Sequence, residues 1–205
     1  MNKKKITIIG LGYTGLPLLM QFYKKKYVVS GYDFDEDKVK RLRAGIDFTK
    51  EVKREDLKFF KKINFVSDIN KIIKTDIFIV AVPTPVFKDN KPNLNYLKKA
   101  TKTVSKVLKP KNIVIFESTV FPGCTEEICV PILEKYSKLK YNKEFFCGYS
   151  PERINPGDKK HRITSIKKIT SGSTIEVANK IDELYKKIII AGTHKAKSIK
   201  VAETA

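Results

Sequence analysis

Three glycines, spaced Gly10-x-Gly12-x-x-Gly15, separate a β-branched run, Lys5 to Ile9, from an apolar stretch at helical spacing that includes Leu16, Leu18, Leu19, Phe22 and Tyr23. In that setting each glycine has a physical task. Gly10 permits a tight turn out of the strand. Gly12 has no Cβ to keep a pyrophosphate off the backbone, and Gly15 lets the helix pack closely on the strand. The helix start offers unpaired N–H donors and a partial positive charge to phosphate. A second strand-like run, Tyr27 to Tyr32, ends at Asp33, twenty-three residues after Gly10. A carboxylate at that offset accepts hydrogen bonds from adenosine ribose hydroxyls. It also repels a 2′-phosphate, so the spacing predicts NAD rather than NADP. The plainer alternative is a glycine-rich turn and a helix-capping Asp in a fold that binds nothing.

Three later turns also carry residues suited to chemistry: Pro83-Thr84-Pro85, Ser118-Thr119-Val120-Phe121-Pro122-Gly123, and Ser150-Pro151-Glu152-Arg153-Ile154-Asn155-Pro156-Gly157. Each follows a strand-like run. In a doubly wound sheet, ligands sit beyond the carboxyl ends of the strands, so these turns and Gly10–Gly15 and Asp33–Lys38 share one rim. Taken singly, Thr84 reads as a turn hydroxyl between prolines and Thr119 as a cap at a strand end. Glu152 reads as an exposed carboxylate, the common fate of a Glu, and Arg153 as a surface cation. Their placement together on one rim favours function.

The elements that must position these turns alternate between strand and helix, which predicts a parallel sheet with crossover helices. Predicted strands are Lys5–Ile9, Val28–Asp33, Ile63–Val66, Asp76–Val82, Asn112–Glu117, Glu144–Tyr149, Ile166–Ser171 and a short Ile188–Ala191. Predicted helices are Thr14–Lys25, Lys38–Ala44 with Asp35 or Asp37 as cap, a short Glu55–Phe60, another short one to Lys74, an amphipathic helix to Leu108 with Asn93 as cap, and Thr125–Tyr136, in which Pro131 should make a kink or displace the start. Ser173-x-x-Glu176 reads as a capping box opening a helix to Lys187. Ser198–Ala205 reads as the first turns of another. The fold class is α/β, a Rossmann-type doubly wound, mainly parallel sheet with helices on both faces.

Composition narrows the options. The 205 residues are 41% hydrophobic, enough for one large α/β domain. No run of eighteen apolar residues occurs, so no transmembrane helix is expected. Met-Asn-Lys-Lys-Lys leads straight into a strand, without the apolar region of a signal peptide. The expected location is the cytoplasm. The net charge of +20 comes almost wholly from lysines spread along the chain, so it reads as solvated faces with a modest pull on anionic substrates. Nucleic acid has no motif behind it. Cys124, Cys129 and Cys147 lack CxxC spacing, and His161 and His194 lie far apart, so neither a disulfide framework nor a metal site is expected.

Gly10-Leu-Gly-Tyr-Thr-Gly-Leu-Pro17, Val82-Pro-Thr-Pro85, Glu117-Ser-Thr-Val-x-Pro-Gly123 and Tyr149-Ser-Pro-Glu-Arg153 with Pro156-Gly157 resemble, in order, four motifs of the UDP-glucose/GDP-mannose dehydrogenase family. These are the NAD-dependent nucleotide-sugar 6-dehydrogenases. The S-P-E-R form of the last loop resembles members that oxidise UDP-N-acetylhexosamines (UDP-GlcNAc or UDP-ManNAc). The resemblance implies that Gly10, Gly12, Tyr13, Thr14 and Gly15 bind the NAD pyrophosphate, with Asp33 on the adenosine ribose and Lys38 beside it. It implies that Thr84 and Thr119 contact the cofactor towards its nicotinamide, with Thr119 also in the catalytic set. Glu152 would handle acid/base chemistry of water at the reacting carbon, and Glu152, Arg153 and Ile154 would touch the UDP-sugar. The family turns a C6 hydroxyl into a carboxylate by two hydride transfers to NAD.

Two departures bear on turnover. The family's second step uses a cysteine nucleophile in a Gly-Gly-x-Cys motif of a C-terminal substrate domain, and no Gly-Gly occurs here. Cys124 follows Pro-Gly where the family usually has Thr; a helix start there would lower its pKa, though a small helix-capping neighbour is the commoner role. Cys129 and Cys147 read as core. The family also uses a Lys and an Asn on the helix that links its domains, and Val201–Ala205 resembles that helix's beginning. The expected layout is an NAD-binding domain over 1–192, the start of the inter-domain helix over 193–205, and a substrate domain absent from this chain. The chain is expected to bind NAD without turnover, and the full-length protein to form a homodimer through the linking helix. Alternative readings are a UDP-glucose or GDP-mannose 6-dehydrogenase domain, or a non-catalytic nucleotide-binding module.

Overall fold

The computed structural model describes residues 4–153 and 163–205. Six strands form one sheet: β1 Lys5–Ile9, β2 Val28–Tyr32, β3 Asn64–Val66, β4 Ile77–Val80, β5 Ile113–Phe116 and β6 Phe146–Tyr149. Their order is β3-β2-β1-β4-β5-β6 and every pairing is parallel. Ile6, for example, lies between Val29 of β2 and Ile77 of β4. The order reverses direction between β1 and β4, which opens a crevice at the carboxyl ends of those strands.

Side chains of successive strand residues point to opposite faces. Ile77 and Ile79 therefore enter one core and Phe78 and Val80 the other. The first core takes the apolar stripes of α1 (Gly15–Lys24), α2 (Glu36–Arg43) and α5 (Ile175–Lys186); the second takes α3 (Asn95–Ser105), α4 (Val130–Ser137) and α6 (Ile199–Glu203). The sheet is thus covered on both faces, and its central strands read as continuous apolar runs for that reason. Burying each of these large apolar side chains contributes about 1.5–3 kcal/mol. The Rossmann-type α/β fold expected from the alternation is present.

Local chemistry explains the element ends. Asp35 caps α2 by accepting from Lys38 N, and Gly45 follows that helix at φ +84°. The segment Arg54–Lys62 is a 3-10 helix longer than the short helix expected there, and Ile69–Lys71 is a single 3-10 turn capped by Asp68. Asn93 does not cap α3 directly; its Oδ1 accepts from Asn95 N one residue inside the helix.

Pro131 displaces the start of its helix, as expected: a π-helical turn, Thr125–Cys129, precedes α4, which begins at Val130 with Pro131 in its first turn, where no N–H is needed. Three expectations are corrected. Thr174, not Ser173, caps α5 by accepting from Val177 N, while the Ser173 hydroxyl accepts from Cys147 N. Ile188–Ala191 is a turn with Ile188 and Ile189 in the core, and the strand lies at Thr193–Lys195, β8. It pairs in parallel with β7, Lys168–Thr170, in a separate two-stranded sheet. The last helix therefore begins at Ile199 behind Ser198, which accepts from Val201 N, rather than at 193.

Candidate functional site

The glycine turn is built as its spacing requires. Gly10 has φ +94°, and a Cβ there would lie 2.7 Å from the Ala81 carbonyl oxygen at the end of β4. A Cβ on Gly15 would lie 1.9 Å from the Gly10 carbonyl oxygen, so the first turn of α1 closes directly on the strand. Gly12 differs: a Cβ there would meet nothing within 4 Å. Its lack of a side chain serves no packing need and leaves the backbone bare towards open space. The first turn of α1 carries no acidic residue, and Thr14 makes no side-chain cap, so no side chain of that turn occupies the positive helix end. Tyr13 is exposed and Thr14 half-buried beside it. The residues present fit a bound pyrophosphate.

Asp33 follows β2 and is 4% exposed. Its Oδ2 accepts from Leu11 N at 2.9 Å and from Lys38 Nζ at 3.0 Å, and its Oδ1 accepts from Asp35 N at 3.1 Å. One carboxylate thus holds the glycine turn, orders the next loop and keeps an ammonium at hand. Lys38 also lies over the Phe48 ring, 5.4 Å from its centroid. Asp33 and Lys38 lie beside the Gly10–Gly15 turn.

The turns after β4 and β5 are tied to each other. The Thr84 hydroxyl donates to the Thr119 carbonyl at 2.7 Å, and the Ser118 hydroxyl to the Val82 carbonyl at 2.6 Å. Thr119 itself is exposed. Glu203 of α6, 5% exposed, accepts from Gly123 N at 2.5 Å and Thr125 N at 2.8 Å, so the last helix pins the far end of the same turn.

Beyond β6, Glu152 faces a cluster that sequence reasoning missed. Lys168 Nζ, at the start of β7, lies 3.1 Å from Glu152 Oε2 and 3.1 Å from Glu117 Oε2. The Tyr185 hydroxyl of α5 donates to Glu117 Oε1, and the Lys168 ammonium lies 5.7 Å from the Tyr185 ring centroid. Glu117 is 1% exposed and Lys168 4% exposed. Burial pushes the Glu117 carboxyl above its ordinary range, against the pull of Lys168. Burial opposes the charge on Lys168, but the two carboxylates outweigh it and raise its pKa. Arg153 donates its backbone N–H to Glu152 Oε1 at 2.8 Å, and its Nη1 reaches the Lys167 carbonyl at 3.5 Å. Ile154 lies outside the described residues, as does the rest of its loop to Gly157.

The three cysteines are buried and free. A hydrogen bond from the Cys129 thiol is the leading cause that lowers the Cys124 pKa. Cys129 is pushed up by donating that bond and by burial, and Cys147 by burial. Among the described residues no group of three or more His, Cys, Asp or Glu is placed to hold a metal ion, and no helix is long and apolar enough to cross a membrane.

Residues 4–189 match the model of the UDP-glucose/GDP-mannose dehydrogenase family, NAD binding domain. The chain is 54% identical over its whole length to a UDP-N-acetyl-D-glucosamine 6-dehydrogenase of Pseudomonas aeruginosa and 52% identical to one of Salmonella typhi, covering 48% of each. The chain spans about half the length of these curated relatives. Among solved structures, a UDP-D-ManNAc dehydrogenase from Pyrococcus horikoshii superposes at a TM-score of 0.87 with 28% identity, over 97% of this chain and 48% of that one. An NDP-N-acetyl-D-galactosaminuronic acid dehydrogenase from Methanosarcina mazei superposes at 0.89 with 28% identity, over 98% of this chain and 46% of that one. A bare Gly12 turn, a buried Asp33 beside it and four motif loops on one sheet edge accompany a match to nearly the whole chain, and the chain belongs to the UDP-glucose/GDP-mannose dehydrogenase family, whose NAD-binding domain it carries.

Proposed function

We propose that this chain is the NAD-binding half of an enzyme that oxidises the C6 hydroxyl of a UDP-N-acetylhexosamine to a uronic acid in two NAD-dependent steps. The observation that carries the cofactor reading is the contrast within the turn: Gly10 and Gly15 are closed by packing, Gly12 is open, and Asp33 is hydrogen-bonded to the turn from the next strand. Identity of 50–54% to proteins that include two UDP-N-acetyl-D-glucosamine 6-dehydrogenases, together with the S-P-E-R loop, supports the N-acetylhexosamine over UDP-glucose or GDP-mannose.

When bound, NAD supplies the hydride acceptor. The backbone at Gly10, Gly12, Tyr13, Thr14 and Gly15 binds the pyrophosphate, donating N–H groups at the helix start. Asp33 accepts from the ribose hydroxyls on lone pairs that its three protein donors leave over, and Lys38 holds it in place. Thr84 and Thr119 flank the nicotinamide half, with the Thr84 hydroxyl already spent on the Thr119 carbonyl. Glu152 takes and returns the proton of the water consumed on the way from alcohol to acid, and Arg153 and Ile154 contact the UDP-sugar.

The NAD-binding domain, expected over 1–192, runs on through β8 to Lys195, and the helix beginning at Ile199 leads to a substrate domain that supplies the cysteine nucleophile. The enzyme works in the cytoplasm as a homodimer joined through that helix. The isolated chain turns nothing over. Incubation with NAD and UDP-N-acetyl-D-glucosamine, followed by NADH absorbance, tests this: no steady rise is expected, and sustained turnover would show that no second domain is needed.

A further inference from the structure

Three strands and a helix converge on Lys168. It is 4% exposed, yet it lies within 3.1 Å of two carboxylates, one buried and one at the rim. A buried ammonium is costly unless paired, and a paired one is fixed in direction. Glu117 at the end of β5 accepts a hydrogen bond from it, and the Tyr185 hydroxyl of α5 donates to the other oxygen of Glu117. The remaining contact is Glu152, whose side chain is 11% exposed. Glu117 stands two residues before Thr119, so the same network also roots the turn after β5.

We propose that Lys168 is a positioning residue, held by Glu117 and Tyr185, that fixes the Glu152 carboxylate at the sheet rim for its work on the substrate. This rests on the role proposed for Glu152 above. Lys168 does not touch substrate or cofactor. It holds Oε2 of Glu152, while the Arg153 backbone N–H holds Oε1.

The test uses the full-length enzyme of which this chain is proposed to be the NAD-binding half. Lys168→Met strands Glu117 as a buried unpaired carboxylate, and its misfolding would be uninformative. The paired change Glu117→Leu/Lys168→Met removes both buried charges, a replacement that often leaves stability unchanged. For a positioning role, the double variant stays folded and keeps NAD affinity, its Tm lowered only by the Tyr185 hydroxyl losing its Glu117 acceptor, while kcat falls on the order of 10²-fold, the scale of a misplaced catalytic group. KM for the UDP-sugar changes much less than kcat. If Lys168 only neutralises Glu117 for the sake of the fold, the double variant recovers turnover along with stability, and a wild-type kcat in it would overturn the proposal. A failure of the parent reading looks different: the wild-type enzyme itself would show no NAD binding or no NADH formation.

Discussion

The Thr84 hydroxyl donates to the Thr119 carbonyl at 2.7 Å, which joins the turns after β4 and β5 at their crests. These turns leave neighbouring strands across the sheet, and Pro83 and Pro85 stiffen one of them. Thr84→Val keeps the shape and removes the donor. A single hydrogen bond of this kind contributes about 0.5–1.5 kcal/mol, so Tm should fall by about 1–6 °C. NAD affinity should fall with it, because the two turns then move separately. An unchanged Tm and affinity would show the bond to be incidental.

The glycine turn separates packing from ligand approach. Gly15→Ala puts a methyl 1.9 Å from the Gly10 carbonyl oxygen and should cost ~3 kcal/mol or more. Gly12→Ala meets nothing within 4 Å, so thermal unfolding should be unchanged or slightly raised. Calorimetry on the Gly12→Ala chain should nevertheless show NAD binding weakened by about ten-fold or more, since the methyl occupies the approach to the backbone. Full NAD affinity in that variant would remove Gly12 from the site.

Much of the fold was legible because the signals are local. Apolar runs such as Ile77–Val80 and the glycine spacing need no knowledge of distant residues. The misread elements have a common cause, which is that two local patterns fit and tertiary contacts choose. Ser173 and Thr174 both suit a helix cap, and Ser173 is drawn away by Cys147 N. Ile188 and Ile189 are apolar enough for a strand but enter the core from a turn. Within the site, Asp33 announces itself by its offset from Gly10. Lys168 does not: it is one of 42 Lys and Arg residues, and its partner Glu117 lies 51 residues away. The one available clue was a lysine in the predicted strand Ile166–Ser171.

Glu203 couples the last helix to the turn that carries Thr119. It satisfies the buried Gly123 and Thr125 N–H groups, and its removal leaves both without that acceptor. Glu203→Ala should cost about 1–3 kcal/mol. Hydrogen exchange should quicken at the Gly123 and Thr125 amides more than in the centre of the sheet. Uniform change across the molecule would argue against a local pin.

The buried cluster should add to the loss of stability at alkaline pH. Burial first, then the Glu117 charge, raises the Tyr185 phenol above its ordinary 10.0, and the paired carboxylates raise Lys168 above 10.5. Above about pH 10 the unfolded chain releases these protons while the folded chain still holds them. Stability from both groups is therefore complete below their ordinary values and is lost as pH rises through the folded ones. Tyr185→Phe should flatten the fall of Tm between about pH 9.5 and 11. A fall as steep as in the wild type would assign it to the exposed lysines instead.

Cofactor choice by the rim is most directly measured by calorimetric titration of the 205-residue chain with NAD and with NADP. The Asp33 carboxylate, fixed by Leu11 N and Lys38, predicts that NAD binds at least about ten-fold tighter and that Asp33→Asn narrows this gap. Equal affinities for the two cofactors, or no binding of either, would contradict it.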